Sequence, residues 1–256
     1  MSDADYDNAN LYAAVKGEKR GKRPEPNRAV IAAAERQMER WLLEQRGKTK
    51  DAAPAGINPY VAISRESGVG GSQIARLAGQ ALGWNVLDHE LLECMAERYH
   101  TSPAMLELVD EKTTSWITEI FGNLIRPHSV SQTQYVFRLS RMIIMAAHTG
   151  KNIYVGRGAQ FLLPREHGLA VRLIAGHKYR VQQIMERRRL SFEDARDYVA
   201  KTDAGRQALA KQYFHHDVTD PHLFDLVINV EKFGLQLAAR QIADAAASCL
   251  HEKLSS

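Results

Sequence analysis

The sequence predicts an α/β fold, a five-stranded parallel sheet flanked by helices, on three observations. Short apolar runs alternate with longer stretches of helical periodicity, the one-dimensional form of a parallel sheet covered on both faces. One of these runs, Tyr60 to Ser64, leads through a glycine-rich turn directly into a helical pattern. The charged and glycine residues that interrupt the pattern fall just after predicted strands, where an open parallel sheet places its ligand crevice.

Taken in chain order, residues 1–27 mix Asp, Asn, Lys, Arg and Pro, with a basic run from Lys16 to Arg23, and predict a flexible basic tail. Val30, Ala34, Met38, Trp41 and Leu42 then recur at helical spacing between Arg28 and Gln45. That spacing predicts an extra N-terminal amphipathic helix, which docks either on its own domain or on a partner, a second copy of the chain or another protein. Gly47 to Pro59 has linker composition, so 28–57 reads as helix plus linker and 58–256 as the globular domain. The strands are predicted at Tyr60–Ser64, Asn85–Asp88, Asn152–Val155, Leu169–Ile174 and Leu226–Val230. Helices are predicted at Gly71–Leu82, His89–Tyr99, Ser131–His148, Lys178–Arg188, Phe192–Tyr213 and Leu235–Leu250, with shorter ones between Ser102 and Leu124.

Composition narrows the function. The chain has 256 residues, 45% of them hydrophobic, enough for a substantial core. Its 34 basic and 30 acidic residues give +4, too balanced for the concentrated basic face of a nucleic-acid binder. Cys94 and Cys249 stand far apart with no CxxC, so neither a disulfide framework nor a zinc site is expected, and a reducing, cytoplasmic setting fits. No apolar run approaches the roughly 20 residues that cross a bilayer, so no membrane partner is expected. His215 and His216 are adjacent, face apart on a helix and have no third ligand at suitable spacing, so they do not read as a metal site.

The segment Val61-Ala-Ile-Ser-Arg-Glu-Ser-Gly-Val-Gly-Gly-Ser-Gln-Ile-Ala75 has the context of a phosphate loop. Ser67, Gly68, Val69, Gly70, Gly71 and Ser72 would supply backbone N–H groups around a phosphate, at the positive end of a new helix. Ser72 falls where a hydroxyl would ligate Mg²⁺. Aligned on GxxxxGK[ST], however, Arg65 stands at the first glycine and Gly71 at the lysine. Arg65 either supplies a replacement cation from the strand end or pairs with Glu66. The glycines taken alone also fit a plain strand-to-helix turn.

Five ordered segments carry a resemblance: SRESGVGGSQIA at 64–75, LDHELL at 87–92, YVGRGAQFLL at 154–163, RLIAGHKYRVQQIMERR at 172–188, and TDAGRQALAKQYFHHDVTDPHLFDLVIN at 202–229. Together they resemble the cytidylate kinase-like family over about residues 60 to 247, and that family typically has Gly in place of the loop lysine. The resemblance implies a P-loop NTPase fold with helical lid and nucleoside-monophosphate-binding segments, and ATP with Mg²⁺ as donor. It also implies that Arg157 holds the acceptor phosphate, whereas Gly158 stands where true cytidylate kinases carry an acidic sugar contact. The helix ending in Arg187-Arg188-Arg189, with Asp203 and Arg206 beyond it, resembles the lid, with Arg188 and Arg206 as its leading cations. Asp203 reads as an acceptor base or ribose contact, or as a simple partner of Arg206 three residues on. Asp88 either faces the substrate site or caps the helix that starts at His89. Asp217, Asp220 and Asp225 are expected to hold the turn before the last strand.

Three functions compete on this basis. The first is phosphoryl transfer from ATP to a nucleoside monophosphate of the CMP or dCMP kind, or to another small acceptor. The second is a catalytically weak nucleotide-binding regulatory or interaction module, which the missing lysine and Gly158 favour. The third and weakest is an RNA-associated protein using the basic tail, for which the aromatic content of 7% offers no stacking platform.

Overall fold

The apolar runs become strands, buried on both faces at the centre of the sheet and partly exposed at its edge, where Val227 of the last strand is 41% exposed. In the computed structural model the structure describes residues 27–46, 56–99 and 130–251. The basic tail, most of the linker and the short helices expected between Ser102 and Leu124 lie outside the described residues. β1 (Tyr60–Arg65), β2 (Asn85–Leu87), β3 (Asn152–Val155), β4 (Gly168–Ile174) and β5 (Leu226–Asn229) form one sheet in the order β2-β3-β1-β4-β5. Every pairing is parallel. Each strand matches its predicted run to within one residue at either end.

Side chains alternate between the two faces of β1, as a pleat of period two requires. Val61 and Ile63 join Val155, Val171 and Leu173 in one buried cluster, under α2 (Gly71–Leu82) and α8 (Val230–His251). Tyr60 and Ala62 join Tyr154 in the other, under α1 (Arg28–Arg46), α3 (His89–Tyr99) and α4 (Val130–Thr149). α1 places its apolar face in this second cluster: Ala34, Met38 and Trp41 are all buried. Arg40 Nη1 donates to Asn85 Oδ1 at 2.6 Å, and Arg98 lies 3.5 Å from Glu35. Of the two docking modes open to this helix, the structure shows docking on its own domain.

The remaining helices are α5 (Ala159–Leu162), α6 (His177–Arg188) and α7 (Phe192–Phe214). Ser191 starts α7 by accepting from the Asp194 N–H at 3.1 Å. The four residues of α5 are too few to show a periodicity in sequence, and no helix was expected there. The last helix departs from expectation in its start, Val230 rather than Leu235. Gly234 interrupts it at φ 69° and ψ 169°, a conformation open essentially to glycine alone, so the sequence pattern shows only the longer, later part. No helix among the described residues is long and apolar enough to cross a membrane.

Candidate active site

The strand order places β1 between β3 and β4, and a cleft of about 370 Å³ opens beyond the carboxyl ends of these strands. Its lining includes Ser67, Gly68, Gly70, Gly71 and Ser72 of the turn after β1, Gly156, Arg157 and Gly158 after β3, and Arg206 and Phe214 of α7. Among the described residues, seven arginines line it: Arg65, Arg76, Arg157, Arg172, Arg187, Arg188 and Arg206. The carboxylates in the lining are Glu66 and Glu90, so the cleft carries a clear excess of positive charge and suits a polyanion. No side chain caps α2, whose first amides open into this cleft, and no acidic residue stands in its first turn.

The turn itself is held from behind. Glu66 donates its N–H to the Leu173 carbonyl at 3.0 Å, and its Oε2 accepts from the Ala175 N–H at 3.0 Å while lying 3.3 Å from Arg180 Nε. Ser67 donates its N–H to Asp203 Oδ1 at 2.7 Å, and Asp203 Oδ2 accepts from Arg180 Nη1 at 2.5 Å. A Cβ on Gly68 would lie 2.5 Å from the Arg180 carbonyl oxygen, so the turn sits flat against α6. Val69 is buried in the core and does not line the cleft, a correction to its expected place among the phosphate-facing residues.

Arg65 runs across the cleft floor. A Cβ on Gly71 would meet its Cγ at 3.0 Å, and a Cβ on Gly156 would collide with its Nη1. Both neighbours are glycine because the arginine stem and head need that room. Burial, and then the nearby Arg206 and Arg157, push the Arg65 pKa well down, while Asp88 opposes them. Arg206 Nη1 donates to the Arg65 carbonyl at 3.1 Å and lies 3.9 Å from Asp203 Oδ1. Its pKa is lowered chiefly by burial, with Asp203 acting in the opposite direction.

Three of the expected residues, Asp203, Asp88 and Arg157, are engaged by protein partners. Asp203 does not line the cleft, and both of its oxygens are engaged by Ser67 and Arg180, which removes it as an acceptor base. Asp88 also lies outside the lining, and its Oδ1 accepts from the Leu91 N–H at 3.1 Å as the cap of α3. Arg157 lines the cleft but pairs with Glu93, and both side chains are almost fully buried. Arg188 places its guanidinium 4.4 Å from the Tyr198 ring centroid. Gly158 is backed by the Phe214 ring, which a Cβ there would strike, so an aromatic wall replaces any carboxylate at that point. Asp217, Asp220 and Asp225 hold the approach to β5, by bonds to Thr219, His222, and Arg165 with Ala170 respectively.

Three buried charges, Arg172, Glu93 and Arg180, carry no motif in the sequence. Arg172 and Glu93 are charges inside otherwise apolar runs, 7% and 2% exposed, and that mismatch was the available signal. Arg180 is also buried and bridges α6 to the turn. Arg187 was named only as part of the basic helix end, yet its Nη2 lies 3.8 Å from where a Cβ on Gly70 would stand, which puts it nearer the turn's glycines than sequence order suggests.

Comparison with known proteins agrees with this architecture. A model of the cytidylate kinase-like family matches residues 60–232. No curated protein matches the chain. An uncharacterized protein from Eubacterium ventriosum ATCC 27560 superposes with a TM-score of 0.62 at 20% identity, over 75% of this chain and 99% of that one. A shikimate kinase from Bacteroides thetaiotaomicron gives a TM-score of 0.43 at 12% identity, over 73% and 97% of the two chains. A shikimate kinase from Acinetobacter baumannii, in complex with shikimate, gives 0.42 at 16%, over 75% and 94%. The first of these likenesses shows the fold.

Proposed function

Because the chain belongs to the cytidylate kinase-like family, we propose that it binds ATP with Mg²⁺ at the turn after β1 and transfers the γ-phosphoryl group to a nucleoside monophosphate of the CMP or dCMP kind. One observation carries this proposal: seven arginines converge on a cleft that also receives the uncapped amino end of a 12-residue helix. Phosphoryl transfer asks a protein mainly to position two anions and neutralise the charge between them, and that is what such a lining supplies.

In this scheme the donor phosphates rest on the amides of Gly70, Gly71 and Ser72, with Arg187 alongside. The Ser72 hydroxyl, in the lining on the first turn of α2, would hold Mg²⁺, whose contribution when bound would be to offset phosphate charge. Arg65, whose stem covers Gly71, provides the cation that a lysine at 71 would otherwise bring. Arg206 and Arg188 stabilise charge from the lid side. A phosphate acceptor is already anionic at neutral pH, so the scheme needs no general base.

Incubation with ATP, Mg²⁺ and a panel of nucleoside monophosphates tests the proposal. ADP formation that depends on the acceptor, strongest with a pyrimidine monophosphate, is expected. The alternative is a nucleotide-binding regulatory module, favoured by Gly71 in the lysine position and by the closure of the Ser67 amide on Asp203. ATP binding by calorimetry with no ADP from any acceptor would select that alternative.

A further inference from the structure

We propose that Arg172, with Arg65 and Arg206 beside it, forms a second anion site in the floor of the cleft, separate from the helix amides, and that this site takes the phosphate monoester of the acceptor. The word acceptor rests on the phosphotransferase proposal; the anion site does not.

Arg172 projects from β4 opposite Ser64 of β1, and both residues line the cleft. It is 7% exposed. Its Nη1 donates to Ser64 Oγ at 2.7 Å, and its guanidinium lies 5.9 Å from the Phe224 ring centroid. Neither contact neutralises its charge. Among the described residues no carboxylate lies within ion-pairing distance of Arg172, whereas Arg157 has Glu93 and Arg180 has Glu66 and Asp203. A desolvated cation with no direct ion-pair partner is costly to keep in a fold; Glu66 and Asp203 favour the Arg172 charge only from beyond pairing distance, and one of its five donors is used. Arg65 and Arg206 line the same cleft; Arg206 and Arg172 both disfavour the charge on Arg65, and Arg172 disfavours that on Arg206. An anion placed among the three relieves the desolvation and the repulsion together.

The class of anion follows from the count. Three guanidinium groups, of which only Arg206 has a carboxylate of the described residues within ion-pairing range, at 3.9 Å, match a phosphate monoester dianion better than a single carboxylate. Arg157 lines the same cleft with Glu93 as its direct counter-charge, so Arg172, which has none, ranks ahead of it as the phosphate ligand on the acceptor side. Arg65 touches both regions, since its stem covers Gly71 at the start of α2 while its head reaches Gly156.

The test uses the full chain, loaded with Mg²⁺ and a saturating non-hydrolysable ATP analogue, titrated with inorganic phosphate in a calorimeter. Wild type is expected to bind one phosphate under these conditions. Arg172→Met is expected to weaken that binding by roughly tenfold to 150-fold, the loss of charge-assisted hydrogen bonds. The same variant, without ligand, is expected to melt at the wild-type temperature or above, because it removes a buried cation. Complete exclusion of phosphate by the analogue in wild type, or wild-type affinity in Arg172→Met, overturns the site. Should Arg172→Met melt lower and also lose phosphate, Arg172→Lys decides: binding retained with the charge supports the site, and binding lost overturns it. Phosphate binding that behaves as expected while no nucleoside monophosphate yields ADP would sink the transferase proposal and leave the anion site standing.

Discussion

Arg65 sits where two missing side chains leave room for it, over Gly71 and against Gly156. If it stands in for the lysine of a phosphate loop, Arg65→Ala should lower kcat for ADP formation by roughly tenfold to 150-fold. Gly71→Lys alone should not raise kcat, because the new stem would begin 3.0 Å from Arg65 Cγ. The double variant Arg65→Ala/Gly71→Lys, with the arginine stem gone, should recover most of the loss. Equal activity of Arg65→Ala and wild type in steady-state assays would remove Arg65 from the mechanism. The identity of these residues was legible in the sequence, and Ser67, Gly68, Gly70, Gly71, Ser72, Arg65, Arg188 and Arg206 all line the cleft. Their partners were not legible. Arg157 reads in sequence as a free guanidinium after a strand, and only the arrival of Glu93 from α3 pairs it.

Among the elements, α1 is the one whose role the chain left open. Trp41 is 2% exposed and packs in the same cluster as Leu92 and Met142, so α1 is part of the core and not an appendage. Trp41→Ala should therefore destabilise the protein by about 3–5 kcal/mol, read as a lower denaturant midpoint. ATP affinity should be unchanged at temperatures where the variant is folded, because α1 contributes nothing to the cleft lining. A midpoint equal to wild type would mean that the helix docks only loosely. Amphipathic spacing gave this helix and its buried face, since period and burial are two views of one geometry. It could not choose between a face of the same chain and a face of another, because a stripe of apolar residues carries no address. The kink at Gly234 was hidden for a related reason: a glycine reads as a stop, and one turn of helix before it has too few residues to show a period.

At the scale of the whole molecule, Asp203 joins parts that lie far apart in sequence. It belongs to α7, yet it accepts from Ser67 in the turn after β1 and from Arg180 in α6. Asp203→Ala would leave the Ser67 N–H and one Arg180 donor without their carboxylate, and should cost about 1–3 kcal/mol. It should also speed hydrogen exchange at the amides of residues 66–70 more than at those of β3, and raise the KM for ATP. Uniform exchange across both regions would show that Asp203 does not tether the turn.

The sequence by itself determined the strands, the principal helices, the place of the phosphate turn and the family, since these depend on periodicity and on local backbone chemistry carried within short segments. The tertiary structure alone decided which charges are paired, which are held behind the cleft and which are left bare within it. Arg172, Arg157 and Arg180 are the same residue type in neighbouring stretches of chain, and they differ only in what packing brings beside them: a hydroxyl for the first, one carboxylate for the second, two for the third. Electrostatic roles depend on distances of a few ångströms between residues up to 141 positions apart, as with Arg65 and Arg206, and such distances are set by the fold as a whole.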